Sequence, residues 1–196
     1  MKYLWLSIFF IVLIWSGINP YDYFTWFLEV FPAILGLLIL TITYKKFRLT
    51  PLVYTLILIH CIILMIGGHY TYALVPFFDT IKELFDQTRN NYDKLGHLAQ
   101  GFIPAMITRE ILIRKNIILF PYWRDFFIVC FCLAFSALYE ITEWLIAIIT
   151  GTQAESFLGT QGYIWDTQSD MFYALLGAVL ALLFLGKIHD KQLKNL

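Results

Sequence analysis

The chain has 196 residues, of which 60% are hydrophobic, 18% aromatic and only 14% charged. A water-soluble domain, with about a quarter of its residues charged, is excluded by that balance. Fourteen Lys and Arg face fourteen Asp and Glu for a net charge of zero, so no bulk field attracts nucleic acid.

A membrane-spanning helix needs about 20 mainly apolar residues. Six segments qualify, approximately 3–18, 25–44, 51–72, 93–113, 125–150 and 166–186. The expected fold is therefore all-α: a polytopic, six-helix transmembrane bundle forming a single domain over 1–196. The first segment, "MKYLWLSIFFIVLIWSGINP", also fits a signal peptide, with one lysine before a short apolar run. No small-x-small cleavage site follows, and Tyr3, Trp5 and Trp15 fit the interfacial anchors of a retained helix. Cys61, Cys130 and Cys132 all lie inside apolar runs, where a free thiol acts as a small hydrophobe, and no disulfide framework is expected.

Lys and Arg in the connections set the orientation. "YKKFR" (44–48) joins segments two and three, "IRKN" with Arg124 joins four and five, and Lys187, Lys191 and Lys194 follow six, whereas the first connection has neither residue type. Both termini are expected in the cytoplasm. The long 74–92 connection carries Lys82 and Arg89 with Asp79, Glu83 and Asp86, and its Ile81, Leu84 and Phe85 recur at helical spacing. A short amphipathic helix on the outer surface is predicted there.

With that orientation, the fourth segment enters from outside, so Asp93 and His97 occupy its first turns. The fifth runs outward from Asp125 and carries Glu140 and Glu143 beyond its midpoint, while the sixth begins outside with Asp166 and Asp170. Residues three or four apart share a helix face, which applies to each of these pairs. The same faces continue through Gln100 and Pro104, through Ser136, and through Tyr173 and Gly177. Gly177 with Ala174, Ala178 and Ala181 would let the sixth segment approach its neighbours closely. An ionisable group costs roughly 2.5–3.5 kcal/mol at mid-bilayer, so the three polar faces are expected to look at one another rather than at lipid.

Five carboxylates and one imidazole cannot all stay charged and unpaired in one place; they must be protonated, paired or bound to a cation. Asp93, His97, Glu140, Glu143, Asp166 and Asp170 form the candidate ligand set for a divalent metal. Histidine with carboxylates suits zinc, manganese or iron, and an oxygen-only subset suits magnesium or calcium. As a catalytic group, one of Glu140 and Glu143 would be the general base, with Lys94 steadying an anionic head group.

Plainer readings stand beside these. Asp93 and Asp166 are placed to cap their helices, Glu140 and Glu143 to lock the bundle as a hydrogen-bonded pair, and His97 to be a satisfied interior histidine. His69 is either a further ligand or a solvated interfacial residue, and His60 lies nine positions earlier on the opposite face. Arg109 and Glu110, far from the cluster, read as a snorkelling or interfacial pair. The loop "ESFLGTQGYIWD", with Gly151 before it and Gly159 and Gly162 within it, reads as a lid over the cluster or as an ordinary turn-rich loop.

"GGHYTYALVPF", "RNNYDKLGHLAQGFIPAMITREIL", "YEITEW" and "FLGTQGYIWDTQSDM" together closely resemble the YjdF-type family of bacterial inner-membrane proteins, whose function is unassigned. More distantly, the second half is similar to the VanZ-like membrane proteins, linked to glycopeptide antibiotic tolerance. Asp93, Lys94 and His97 match the first element of that pattern, Glu140 or Glu143 the second, and Asp170 with Gly177 the third. Ala174 stands where the pattern has asparagine, leaving that amide's role absent or supplied by Gln168. The resemblance implies a multi-pass protein of the bacterial cytoplasmic (inner) membrane.

The functional expectation is a metal-dependent envelope enzyme acting on a lipid or cell-wall precursor, surrounded by membrane lipids and without a nucleic-acid partner. The alternatives are proton- or cation-coupled transport or binding, and a structural membrane scaffold.

Overall fold

The computed structural model describes residues 2–151 and 160–196. Its helices are α1 (Lys2–Ser16), α2 (Tyr23–Thr43), α3 (Pro51–Tyr70), α4 (Pro76–Leu84), α5 (Tyr92–Arg114), α6 (Pro121–Thr150) and α7 (Asp166–Leu193), and no strand occurs among the described residues. Local chemistry sets several boundaries. The Asp22 carboxylate accepts the Thr25 N–H at 2.9 Å to start α2. Pro51, Pro76 and Pro121 open α3, α4 and α6 at a position whose N–H has no helical partner anyway. The amphipathic helix predicted in the 74–92 connection is α4, with Phe77 and Leu84 exposed.

The segments expected to span correspond to α1, α2, α3, α5, α6 and α7, and four of these, α2, α3, α6 and α7, are both long and apolar enough to cross a membrane. With 15 residues, α1 reaches about 22 Å at 1.5 Å per residue, against a hydrocarbon core of roughly 30 Å. By contrast, α5 has the length, at 23 residues, but carries Asp93, Lys94, Arg109, Glu110 and Arg114. Its position explains the tolerance. It packs against α3, α6 and α7, and it buries more residues than any other helix. A helix sheathed by others meets little lipid, so it can carry groups that a lipid-facing helix cannot. Exposed Phe27, Phe31 and Leu38 on α2, and Phe131, Leu138 and Ile148 on α6, show the opposite solution.

The most extensive helix contact joins α5 to α7. It is built from small residues, as Gly177, Ala174, Ala178 and Ala181 led us to expect, and all four are buried. A Cβ at Gly177 would run into the Leu98 carbonyl, and one at Gly101 into the Ala174 carbonyl, so both glycines are needed for the backbones to touch.

One expectation is corrected at the far end of this contact. Arg109 and Glu110 are not a snorkelling or interfacial pair; they are buried at the centre of a network. Glu110 accepts from Thr50 N at 3.0 Å, Thr50 Oγ1 at 2.8 Å, Arg114 Nη1 at 2.8 Å and His189 Nε2 at 3.0 Å. Arg109 donates to His189 Nδ1 at 3.1 Å and to Asp190 at 2.7 Å. A guanidinium can only donate, so Nδ1 accepts and Nε2 carries the proton given to Glu110. The network also explains why α7 continues past residue 186, where the apolar run ends, to Leu193. His189 and Asp190 are held by α5, and the Gln192 side chain accepts the Leu52 N–H at 2.9 Å.

Candidate functional site

At the other end of α5, Asp93, His97 and Gln100 share one face at four- and three-residue intervals. The His97 Nε2 lies 3.4 Å from Asp93 Oδ1 and 3.7 Å from Glu140 Oε1 on α6. Asp170 on α7 completes the group, with one ligand atom each of Asp93, His97 and Asp170 within 4.8 Å of one another. Three helices thus bring their polar faces together, in the arrangement inferred from spacing and depth. Neither Asp93 nor Asp166 is a helix cap, because Asn91 and Trp165 occupy those positions.

Gln100 orients the imidazole. Its Oε1 lies 3.0 Å from His97 Nδ1 and, as an acceptor, requires the proton there. In the neutral ring the Nε2 lone pair then points toward Asp93 and Glu140. A histidine that binds a metal is held in the same way, through the nitrogen it does not use for ligation.

Arg89, buried, pairs with Asp166 and lies 3.6 Å from Asp93 Oδ2. Asp166 is therefore already answered by a cation, whereas Asp170 forms no ion pair among the described residues. Glu143, half-buried and one turn past Glu140, is near enough to interact with the charges of Glu140 and His97 but forms no ion pair among the described residues. Lys94 stands over two rings, 5.4 Å from that of Tyr163 and 5.7 Å from that of Tyr173. Tyr163 also lies 5.5 Å from Arg89. Beside it the Gln161 amide exchanges hydrogen bonds with the Asn90 backbone, both at 2.9 Å. Residues 160–165 of the loop read as a lid thus pack on the site's edge, and its residues 155–159 lie outside the described residues.

Several groups had escaped sequence reasoning. Glu29 on α2 is buried, accepts from the Tyr139 hydroxyl at 3.3 Å, and lies close enough to Asp93 and His97 to interact with both charges. Tyr72 also bonds it; in the α3–α4 connection, burial and then the Glu29 charge push this hydroxyl well above its ordinary pKa, so it stays a donor. Gly67 and Gly96 make the slot for the Tyr72 ring, since a Cβ on either would strike it. His60 lies within electrostatic range of His97. Conversely, His69 is absorbed structurally, with Nδ1 3.0 Å from the Ser16 carbonyl and its ring against Trp15. A lone acid within an apolar run, such as Glu29 in "FTWFLEVFPAIL", is the signal that a search for paired residues passes over.

Among the described residues, the buried Glu140 Oε1, Asp170 Oδ1 and Ser136 Oγ have no hydrogen-bond partner. Glu140 and Asp170 are only 7% and 2% exposed. Each such group left unanswered costs about 1–3 kcal/mol.

The helices and their buried polar end define a multi-pass helical membrane protein with an acid- and histidine-rich cluster between α5, α6 and α7. The whole of residues 1–191 matches the family described as "Predicted membrane protein (DUF2238)", and the chain belongs to that family. It is 48% identical over 185 residues to the inner membrane protein YjdF of Escherichia coli (strain K12), covering 94% of this chain and 88% of that one. No solved structure matches it. The chain is a bacterial inner-membrane protein, as the resemblance implied.

Proposed function

We propose that the protein is a metal-dependent enzyme of the cell envelope, acting on a phosphate or ester of a lipid or cell-wall precursor. Asp93, His97 and Asp170 are the ligands and Glu140 the neighbouring acid. The observation that carries this reading is the pair of buried oxygens, Asp170 Oδ1 and Glu140 Oε1, that have no hydrogen-bond partner among the described residues, in the same cluster as a histidine held through Nδ1. Ligands of one ion stand at most about 4.4 Å apart for bonds of about 2.2 Å, and the 4.8 Å limit on the present group is closed by small side-chain rotations. Two carboxylates and an imidazole suit zinc, manganese or iron, while magnesium would draw on the carboxylates and water.

A bound ion would supply a water acidic enough to deprotonate at neutral pH. Arg89 would hold Asp93 in its ligating position, Glu140 or Glu143 would take the proton, and Lys94 would receive an anionic head group. Metal analysis of the purified protein after dialysis against zinc, manganese, iron and magnesium tests the reading. We expect close to one ion per chain, and a loss of that ion in Asp170→Asn. Folded wild-type protein without stoichiometric metal would sink it.

Glu29 favours a second reading, proton- or cation-coupled transport, because Tyr139 connects it on α2 to the cluster's surroundings. A proton flux in liposomes that Glu140→Gln abolishes would support this reading instead.

A further inference from the structure

At the opposite end of the bundle, α1 packs on α3 and makes little contact with α2. The gap between them is a groove of about 680 Å³, within the roughly 300–1,000 Å³ of ligand-binding clefts. Its walls are apolar, with Trp5, Ile8, Leu37, Leu40 and Leu58 among them. The Trp5 indole N–H donates to the Tyr54 carbonyl at 2.8 Å, which fixes one wall.

The rim is different in kind. Lys2, Lys45 and Arg48 line it, all exposed, and no acidic residue does among the described residues. The Lys2 ammonium lies 4.9 Å from the centre of the Tyr44 ring and the Arg48 guanidinium 5.8 Å from it, so one aromatic side chain gathers two cations. None of the three bases forms an ion pair among the described residues. Of the acids at this end, Glu110 is engaged by Thr50, His189 and Arg114, Asp190 by Arg109 and Asp125 by Arg124.

An apolar cleft with a purely cationic mouth matches an amphiphile with a hydrocarbon body and an anionic head. We propose that this groove binds an anionic glycerophospholipid, its acyl chain along Leu37, Leu40 and Leu58 and its phosphate among Lys2, Lys45 and Arg48. A zwitterionic lipid fits the walls equally but gains less from the rim. The site is independent of the acid- and histidine-lined cluster at the other end of α5.

The test uses full-length protein stripped of lipid in detergent and titrated with phosphatidylglycerol or phosphatidylethanolamine of identical acyl chains, with bound lipid counted by native mass spectrometry. Phosphatidylglycerol is expected to bind at least about tenfold more tightly, since each basic side chain near a lipid surface strengthens anionic attraction several-fold. Lys45→Gln with Arg48→Gln, both exposed and outside the helices, reduces this to the phosphatidylethanolamine level, and Leu40→Trp, which fills the groove, weakens both lipids. Equal affinity for the two lipids, an unchanged preference in the Lys45/Arg48 double variant, or displacement by inorganic phosphate at equal concentration overturns the proposal. So does a wild-type dimer that Leu40→Trp disperses with no lipid retained, which would assign the groove to a second copy of the chain.

Discussion

The two ends of α5 hold buried charged clusters of similar content, and they differ in how completely their atoms are answered. Around Glu110, acceptor and donors are matched: a backbone N–H, a hydroxyl, an imidazole and an arginine converge on one carboxylate. Around His97, acids outnumber cations, and buried oxygens of Glu140 and Asp170 have no hydrogen-bond partner among the described residues. A saturated network specifies packing, whereas an unsaturated one keeps capacity for a proton, an ion or a substrate. Burial of charge is therefore common to both ends, and the completeness of partnering is what separates them.

The contrast breaks most visibly in stability. Glu110→Ala would leave His189, Arg114 and Thr50 without their shared acceptor, and a loss of about 3–5 kcal/mol is expected in detergent unfolding. Gly101→Val drives a side chain into the Ala174 carbonyl and must part α5 from α7, at an expected cost of about 1–3 kcal/mol, read in the same assay. Because the α5–α7 seam joins both ends, this variant should also loosen the His97 cluster, seen as faster amide exchange in α5.

Smaller effects sharpen the comparison. Gln161→Ala removes two hydrogen bonds to Asn90 and should cost about 1 kcal/mol, with increased proteolysis between 86 and 91 as the local signature. Asp170→Asn is expected to change metal-free stability by no more than about 0.5 kcal/mol, or to raise it, because it replaces a buried acid that has no cation partner among the described residues with a neutral isostere. Its thermal shift on adding zinc or manganese should vanish. A large destabilisation by Asp170→Asn, comparable with that of Glu110→Ala, would show that the two ends do not differ in the way described.

Much of this was legible in the sequence. The helices follow from apolar run length, and the joining of Asp93 with His97, Glu140 and Asp170 follows from helical spacing plus a shared depth. The close α5–α7 approach was written in Gly177 and its alanines. Other features were not legible because they depend on who faces whom. Arg89 is a loop exception by sequence, and only the fold sets its guanidinium between Asp93 and Asp166. Glu29 belongs to no local pair, and only the packing of α2 beside Tyr139 relates it to the site. Arg109 and Glu110 read as an interfacial pair from sequence because their partners, Thr50 and His189, lie 60 or more residues away in the chain.

By itself, the sequence determined that this is a helical membrane protein and which residues share a face, because hydrophobic run length and the 3.6-residue period are local properties of the chain. Only the tertiary structure decided which charges are spent on one another and which stay open. Partner choice is set by contacts between helices, and so α5 carries a finished network at one end and an unfinished one at the other.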